Sequence, residues 1–339
     1  MMDEPTISTC YGERASRFLK SLDLQVRRKS APANTIPTKL PQISPERLSD
    51  AADGKTILYL AYGSNLSAET FKGNRGIEPI SAVNVHVPSL NLTFDLAGIP
   101  YTEPCFANTS YRKSPTQLPE AYEEYGWHKG LVGVVYEVTP EDYRTIIATE
   151  GGGASYTDIT VECYVLPAGK KTVDAEPSGV TFKAHTLYSP RDGNKASRPD
   201  PTYAQASARY LKLLTDGGDE HNLPDEYMAY LYNLKPYTIT TYRQTIGKYI
   251  FATLWMPIIL ALFGLGKVLA DKGGRLPAWL AKLYGMVFWA LWVSYDNVFR
   301  PLYGDGERTI EKGDEEAALL AERKSGKINY GWCEKRDII

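Results

Sequence analysis

The sequence predicts an α+β fold, with a small closed or nearly closed β-barrel, helices around it, and hydrophobic helices toward the C-terminus. Three observations carry that prediction. Runs with strand composition or period-two alternation dominate residues 56 to 188. Capped helical segments follow between 201 and 234, and strands first with helices later is an α+β order. Residues 249 to 266 then run without a charge, eighteen positions in all, which meets the lower bound for crossing a bilayer.

The first 53 residues hold Pro5, Pro32, Pro37, Pro41 and Pro45 among serines and charges, and are expected to form a flexible leader. No continuous apolar core of signal-peptide length lies in Met1 to Ser30. Arg14, Arg17, Lys20, Arg27, Arg28 and Lys29 suit a mitochondrial presequence, but Asp3, Glu4, Glu13 and Asp23 argue against one.

A catalytic domain is expected over 54–240. Thr56 to Ala61 is rich in β-branched, aromatic and aliphatic residues, as a buried strand requires. The run stops at Tyr62-Gly63-Ser64-Asn65-Leu66, where Gly63 eases the backbone and Ser64 and Asn65 are good helix caps. Ser67 to Phe71 continues as a first helical turn. The amides of Gly63 to Leu66 are therefore expected to point outward, unpaired, as a seat for a carboxylate or oxyanion. A Gly-Ser-Asn sequence after a strand is also, ordinarily, only a turn.

Val83 to Val87 and Leu90 to Leu96 alternate as half-buried strands do. Prolines 100, 104, 115 and 119 punctuate the next segment, with Cys105 to Tyr111 as a short strand and Gln117 to Lys129 as an exposed insertion. Gly130 to Val138 is a buried strand. Thr139-Pro140-Glu141-Asp142 then supplies a cap, a proline at the first position and two acids, opening a helix to Thr149 with Tyr143, Ile146 and Ile147 inward. Glu150-Gly151-Gly152-Gly153 ends it. Strands are expected over Tyr156 to Leu166 and Val180 to Tyr188, and helices from Pro201-Thr202-Tyr203 to Leu214 and from Asn222 to about Leu234.

Residues 241–300 are expected to be a hydrophobic, membrane-associated helical region, and 301–339 a polar tail. Pro257 sits inside the uncharged run, where membrane helices tolerate it better than exposed soluble ones do. The second apolar run, Leu276 to Tyr295, contains Lys282 and is short for a span, so an interfacial helix competes with a hairpin of two spans. A helical subdomain packed on the core is a third arrangement. Membrane lipid is thus an expected partner, with residues 249–295 as the attachment, an intracellular location and a cytosolic catalytic domain.

Composition narrows the function classes. A hydrophobic fraction of 43% over 339 residues supports a proper core, and a net charge of -2 argues against nucleic acid as a partner. Cys10, Cys105, Cys163 and Cys333 have no close-pair spacing, and His86, His128, His185 and His221 are isolated, so no metal is expected. No Walker loop or Gly-x-Gly-x-x-Gly fingerprint appears, and no cofactor is expected.

Glu150 stands at a helix C-terminus, where the partial negative charge disfavours ionisation and suits a carboxyl that shuttles a proton. Taken alone, such a residue usually just points into water.

Ala61-Tyr62-Gly63-Ser64-Asn65-Leu66 resembles the signature loop of the gamma-glutamylcyclotransferase family. That resemblance implies that Tyr62, Gly63, Ser64, Asn65 and Leu66 grip substrate. It also implies that Glu150, standing before a glycine turn and Tyr156, is the catalytic acid-base. The turn is one residue tighter than the family's common version. Pro201-Thr202-Tyr203 and Leu223-Pro224-Asp225-Glu226-Tyr227 resemble the family's later helix starts; the resemblance implies that Tyr156, after the glycine turn, and Tyr203 bind substrate, and Thr186 stands where the family often has a tyrosine. Together these landmarks cover residues 55 to 235. The long insertions and apolar extension are similar to a fungal subgroup that includes enzymes of dithiodiketopiperazine toxin pathways. The implied reaction releases 5-oxoproline and an amine from a gamma-glutamyl substrate, glutathione among the possibilities. A non-catalytic, membrane-tethered protein that keeps the gamma-glutamyl pocket is the alternative.

Overall fold

The structure is a computed structural model, which describes residues 40–49, 55–112, 127–150, 156–190, 198, 200, 202–271 and 275–310. The expected insertion up to residue 126, the glycines after Glu150, Pro201 and the tail beyond residue 310 lie outside these. The strands are β1 (Ile57–Ala61), β2 (Ser81–Val87), β3 (Leu90–Ile99), β4 (Glu103–Tyr111), β5 (Leu131–Val138), β6 (Thr157–Val165) and β7 (Thr181–Tyr188). Five of them close a barrel in the order β1-β5-β2-β6-β7. Antiparallel pairs make most of the circuit, and a parallel contact of Tyr59 with His185 joins β1 to β7. Closure removes the open edges that a small sheet would otherwise expose. Strand β5 is buried at nearly every position, as its continuous apolar run requires.

Strands β3 and β4 stand apart as a two-stranded ribbon with a bulge between Thr93 and Leu96. Each strand of a ribbon has one unpaired side, which is how Pro104 is tolerated inside β4. The ribbon turn holds Tyr101 at φ 63, an uncommon conformation for an aromatic residue. Its amide donates to the Gly306 carbonyl at 2.8 Å and its hydroxyl to the Gly304 carbonyl at 2.9 Å, fixing it there.

Residues 40–49, within the segment expected to be a leader, are described. Helix α1 (Pro45–Ser49) lies against the barrel with Ile43 and Leu48 in the core. Arg47 Nε donates to Thr56 Oγ1 at 2.8 Å and Glu137 Oε1 at 3.0 Å, so the segment just before β1 belongs to the domain.

Helix α2 (Pro140–Thr149) forms where expected, capped by Thr139 accepting from the Asp142 amide, with Tyr143 and Ile146 buried. Helix α3 (Ala208–Glu220) starts later than the sequence reading placed it. Ser207 caps it by accepting from the Tyr210 amide at 3.0 Å, while Thr202 and Tyr203 lie in a turn upstream. Gly217 lets α3 press onto the loop after β1, since a Cβ there would stand 2.4 Å from the Leu66 carbonyl carbon and 2.5 Å from the Ser67 nitrogen. Helix α4 (Asp225–Asn233) completes the layer.

Past this layer run α5 (Tyr242–Leu269), α6 (Ala278–Ser294), a π-helical turn (Tyr295–Phe299) and α7 (Arg300–Tyr303). Thr241 and Gln244 form a capping box at the start of α5. Tyr101 from the ribbon packs edge-on against both Phe251 of α5 and Tyr295, so the hairpin of α5 and α6 is fastened to the domain through the ribbon tip. Within the expected polar tail, Asp305 and Glu307 are buried: Asp305 accepts from Tyr203 at 2.6 Å, and Glu307 pairs with Arg198.

His221, at the end of α3, makes a 2.6 Å hydrogen bond through Nε2 to the Tyr136 hydroxyl. Burial pushes its imidazole down from 6.5 to about 4. Unfolded chains therefore bind a proton at His221 between those values while the native state does not, so stability falls as pH drops from about 6.5 to about 4. The full effect is about 3 kcal/mol. Urea unfolding across that range should show a shallower pH dependence for His221→Gln than for the parent chain.

Candidate active site

Strand β1 delivers the chain into a 3-10 turn at Ser64–Leu66 and then a π-helical segment at Glu69–Asn74. The Leu66 amide donates to the Gly63 carbonyl at 3.0 Å, so of the four amides expected to face outward this one is spent inside the turn. Gly63 has φ -109, so no left-handed backbone demands a glycine. Space does: a Cβ would stand 3.2 Å from the Tyr210 hydroxyl and 3.3 Å from the Ala107 Cβ.

Glu150 caps the C-terminus of α2, its amide donating to the Ile146 carbonyl, and its side chain turns toward this loop rather than into water. Asn65 Nδ2 donates to Glu150 Oε1 at 3.1 Å and also to the Tyr59 hydroxyl at 2.8 Å. The Arg75 guanidinium pairs with the same carboxylate oxygen and reaches Thr149 Oγ1. One carboxylate is thus held between a loop amide and a cation, both largely buried. Asn65 Oδ1 is buried and has no hydrogen-bond partner.

A cavity of about 440 Å³ opens over this group, lined by Ser64, Arg75, Glu150, Tyr156 and Tyr210 and, from the ribbon, by Asp95, Phe106 and Asn108. The Tyr210 hydroxyl accepts from the Ala107 amide at 3.1 Å and also hydrogen-bonds to Ser64. Burial, followed by the Glu150 charge, raises the Tyr156 and Tyr210 phenols above their ordinary values. Tyr59 and Tyr62 are raised by the same two causes, with neighbouring groups adding to each. All four stay protonated near neutral pH. Of the four, Tyr156 and Tyr210 line the cavity.

Of the residues singled out from sequence, Ser64, Glu150 and Tyr156 line the cavity, with Asn65 buried and bonded to Glu150 and with Gly63 and Leu66 in the supporting turn. Tyr62 points into the barrel wall, its hydroxyl donating to the Leu187 carbonyl at 2.7 Å. Tyr203 is not brought to the site; its hydroxyl bonds Asp305 and its ring lies beneath the Arg300 and Arg308 guanidinium groups. Tyr210 occupies the cavity wall instead, and the serine cap three residues before it was the available signal. Thr186, buried, donates to the Leu60 carbonyl at 3.0 Å. Arg75 had no local signal, because its partner is 75 residues away.

Gamma-glutamyl cyclotransferase gliK of Aspergillus fumigatus is 32% identical to this chain over 257 residues, covering 74% of this chain and 89% of that protein. The chain belongs to the gamma-glutamyl cyclotransferase family. Gamma-glutamyl cyclotransferase aclK of Aspergillus oryzae is 29% identical over 275 residues, covering 79% of this chain and 94% of the relative. Residues 241–302 match the AclK C-terminal domain, so the apolar hairpin is a family feature in its own right. A solved structure of a gamma-glutamyl cyclotransferase covers 55% of this chain and 92% of its own, at 20% identity and a TM-score of 0.39. This cyclotransferase has a five-stranded barrel, and the region that matches the AclK C-terminal domain forms its apolar hairpin.

Proposed function

We propose that the chain cyclises a gamma-glutamyl amide to 5-oxoproline and frees the amine, with Glu150 carrying the proton. The observation behind this reading is the Glu150 carboxylate hydrogen-bonded to Asn65 of the signature loop at the mouth of the cavity. Glu150 takes a proton from the substrate's α-ammonium, and the freed amine attacks its own γ-carbonyl carbon. The new C–N bond closes a five-membered lactam. The old amide C–N bond breaks as Glu150 returns its proton to the departing nitrogen, and the surplus proton on the new ring nitrogen then passes through Glu150 to the freed amine, which leaves as an ammonium. The amides of Gly63 and Asn65 hold the α-carboxylate and the developing oxyanion, while the Ser64 backbone is engaged by the Tyr210 hydroxyl. Arg75, itself on the cavity wall, fixes the carboxylate. Incubation with a panel of gamma-glutamyl dipeptides and glutathione should yield 5-oxoproline and free amine in equal amounts by mass spectrometry, and no 5-oxoproline from any member would defeat the proposal.

In the same reading, residues 54–240 form the catalytic unit and 241–300 attach it to a membrane, inside the cell. One described helix, Tyr242–Gly266, is long and apolar enough to cross a bilayer, yet only 22% of its apolar window is buried in the protein. Ile250, Leu254, Ile258 and Leu265 on α5, and Trp279, Met286 and Trp289 on α6, face outward. Their spacing suits a hairpin seated in lipid, with tryptophans at the headgroup level. Full-length protein should co-float with phosphatidylcholine vesicles, and protein left wholly in the dense fraction would contradict this.

A further inference from the structure

The inward side of the hairpin carries a second consequence, which rests on the cyclotransferase reading of the site. The cavity above Glu150 is not made by the barrel and ribbon alone. Phe263 of α5 and Ala281, Tyr284, Gly285 and Phe288 of α6 form its opposite wall. An adjoining cavity of about 470 Å³ shares Glu150, Tyr156 and Ala281 with the first and is closed by Arg275 and Leu276, just before α6. The catalytic end is polar and the hairpin end is apolar.

A gamma-glutamyl group is small, and its charged α-carbon end belongs against the loop amides and Glu150. The rest of the cavity must therefore receive the amine half. That half would lie against Phe263, Tyr284 and Phe288, which present aromatic surface and no charge. The wall is also fixed rather than free to drift. Tyr284 donates to the Leu262 carbonyl at 2.8 Å across the hairpin, and Tyr101 anchors the hairpin to the same ribbon whose Asp95, Phe106 and Asn108 line the cavity.

Gly285 adds an independent observation. A glycine in mid-helix ordinarily costs stability and is retained where a Cβ would collide. Here a Cβ would meet nothing within 4 Å, so packing does not demand the glycine. It leaves room in the cavity.

We propose that the C-terminal hairpin is the specificity wall of the active site. In this proposal Phe263, Phe288 and the space at Gly285 select gamma-glutamyl amides whose amine half carries a bulky apolar group.

The test compares kcat/KM of full-length enzyme for gamma-glutamylphenylalanine and gamma-glutamylglycine, read as 5-oxoproline release. The parent should favour the phenylalanine compound. Gly285→Leu, which fills the space without a backbone clash, and Phe288→Ala, which removes the aromatic face, should each lower the ratio of the two constants by about tenfold. Because both constants come from one preparation, a partly misfolded fraction cancels from the ratio. An unchanged ratio in both variants, or a parent that prefers the glycine compound, overturns the proposal. If neither compound yields 5-oxoproline, the cyclotransferase reading itself falls and takes this one with it.

Discussion

Glu150→Gln is expected to lower kcat for 5-oxoproline formation by about 10² to 10⁴, a barrier increase of about 3 to 5 kcal/mol. Glutamine has the same shape and keeps an oxygen for Asn65 Nδ2 and the Arg75 guanidinium, so the loop should hold its place. What it cannot do is take a proton from an ammonium and return it to a leaving amine. The nearby tyrosines cannot substitute, because burial alone, the largest cause for each, holds their phenols above the ordinary range. Calorimetric titration should show the variant still binding a gamma-glutamyl dipeptide. A variant that turns over at the parent rate would remove Glu150 from the mechanism.

Arg198→Met should destabilise the chain by about 3 to 5 kcal/mol, the usual cost of stripping a buried ion pair of one partner. Arg198 gives Nε to Glu307 Oε2 at 2.9 Å and a second nitrogen to Oε1 at 2.6 Å, while both outer nitrogens reach Asp296 at 2.8 Å. Its guanidinium also lies 4.1 Å from the centre of the Trp292 ring. Without it, Glu307 remains almost wholly enclosed, and burial already raises its carboxyl above the ordinary value. Urea midpoints should fall for Arg198→Met and recover in part for Arg198→Met with Glu307→Gln, which removes the orphaned charge. Equal midpoints for parent and single variant would show that this knot does not hold the hairpin to the domain.

The parts of this molecule legible from sequence were those whose causes are local. Strand β5 declared itself through an unbroken apolar run, and α2 through Thr139, Pro140 and two acids in four consecutive positions. The loop at Gly63 to Leu66 was legible as a turn and as a family signature, and Glu150 by its place before the glycines. What failed to show was long-range. The Arg75 to Glu150 pair, the Tyr101 anchor and the Arg198 to Glu307 pair join residues 75 to more than 200 positions apart, and no periodicity marks them. Pro201-Thr202-Tyr203 resembles a helix start and points to Tyr203, whereas Ser207 is the cap that the backbone uses. The ribbon was obscured by its prolines, which the unpaired sides of two isolated strands can accept.

The most direct test of the site's chemistry is to run the reaction on a gamma-glutamyl dipeptide in water enriched in oxygen-18 and weigh the glutamyl product. Attack by the substrate's own amine takes nothing from solvent, so the product should be 5-oxoproline with no heavy oxygen. Glutamate carrying one oxygen-18 in its γ-carboxyl would mean that water is the nucleophile, and that the acid beside the loop serves hydrolysis rather than ring closure.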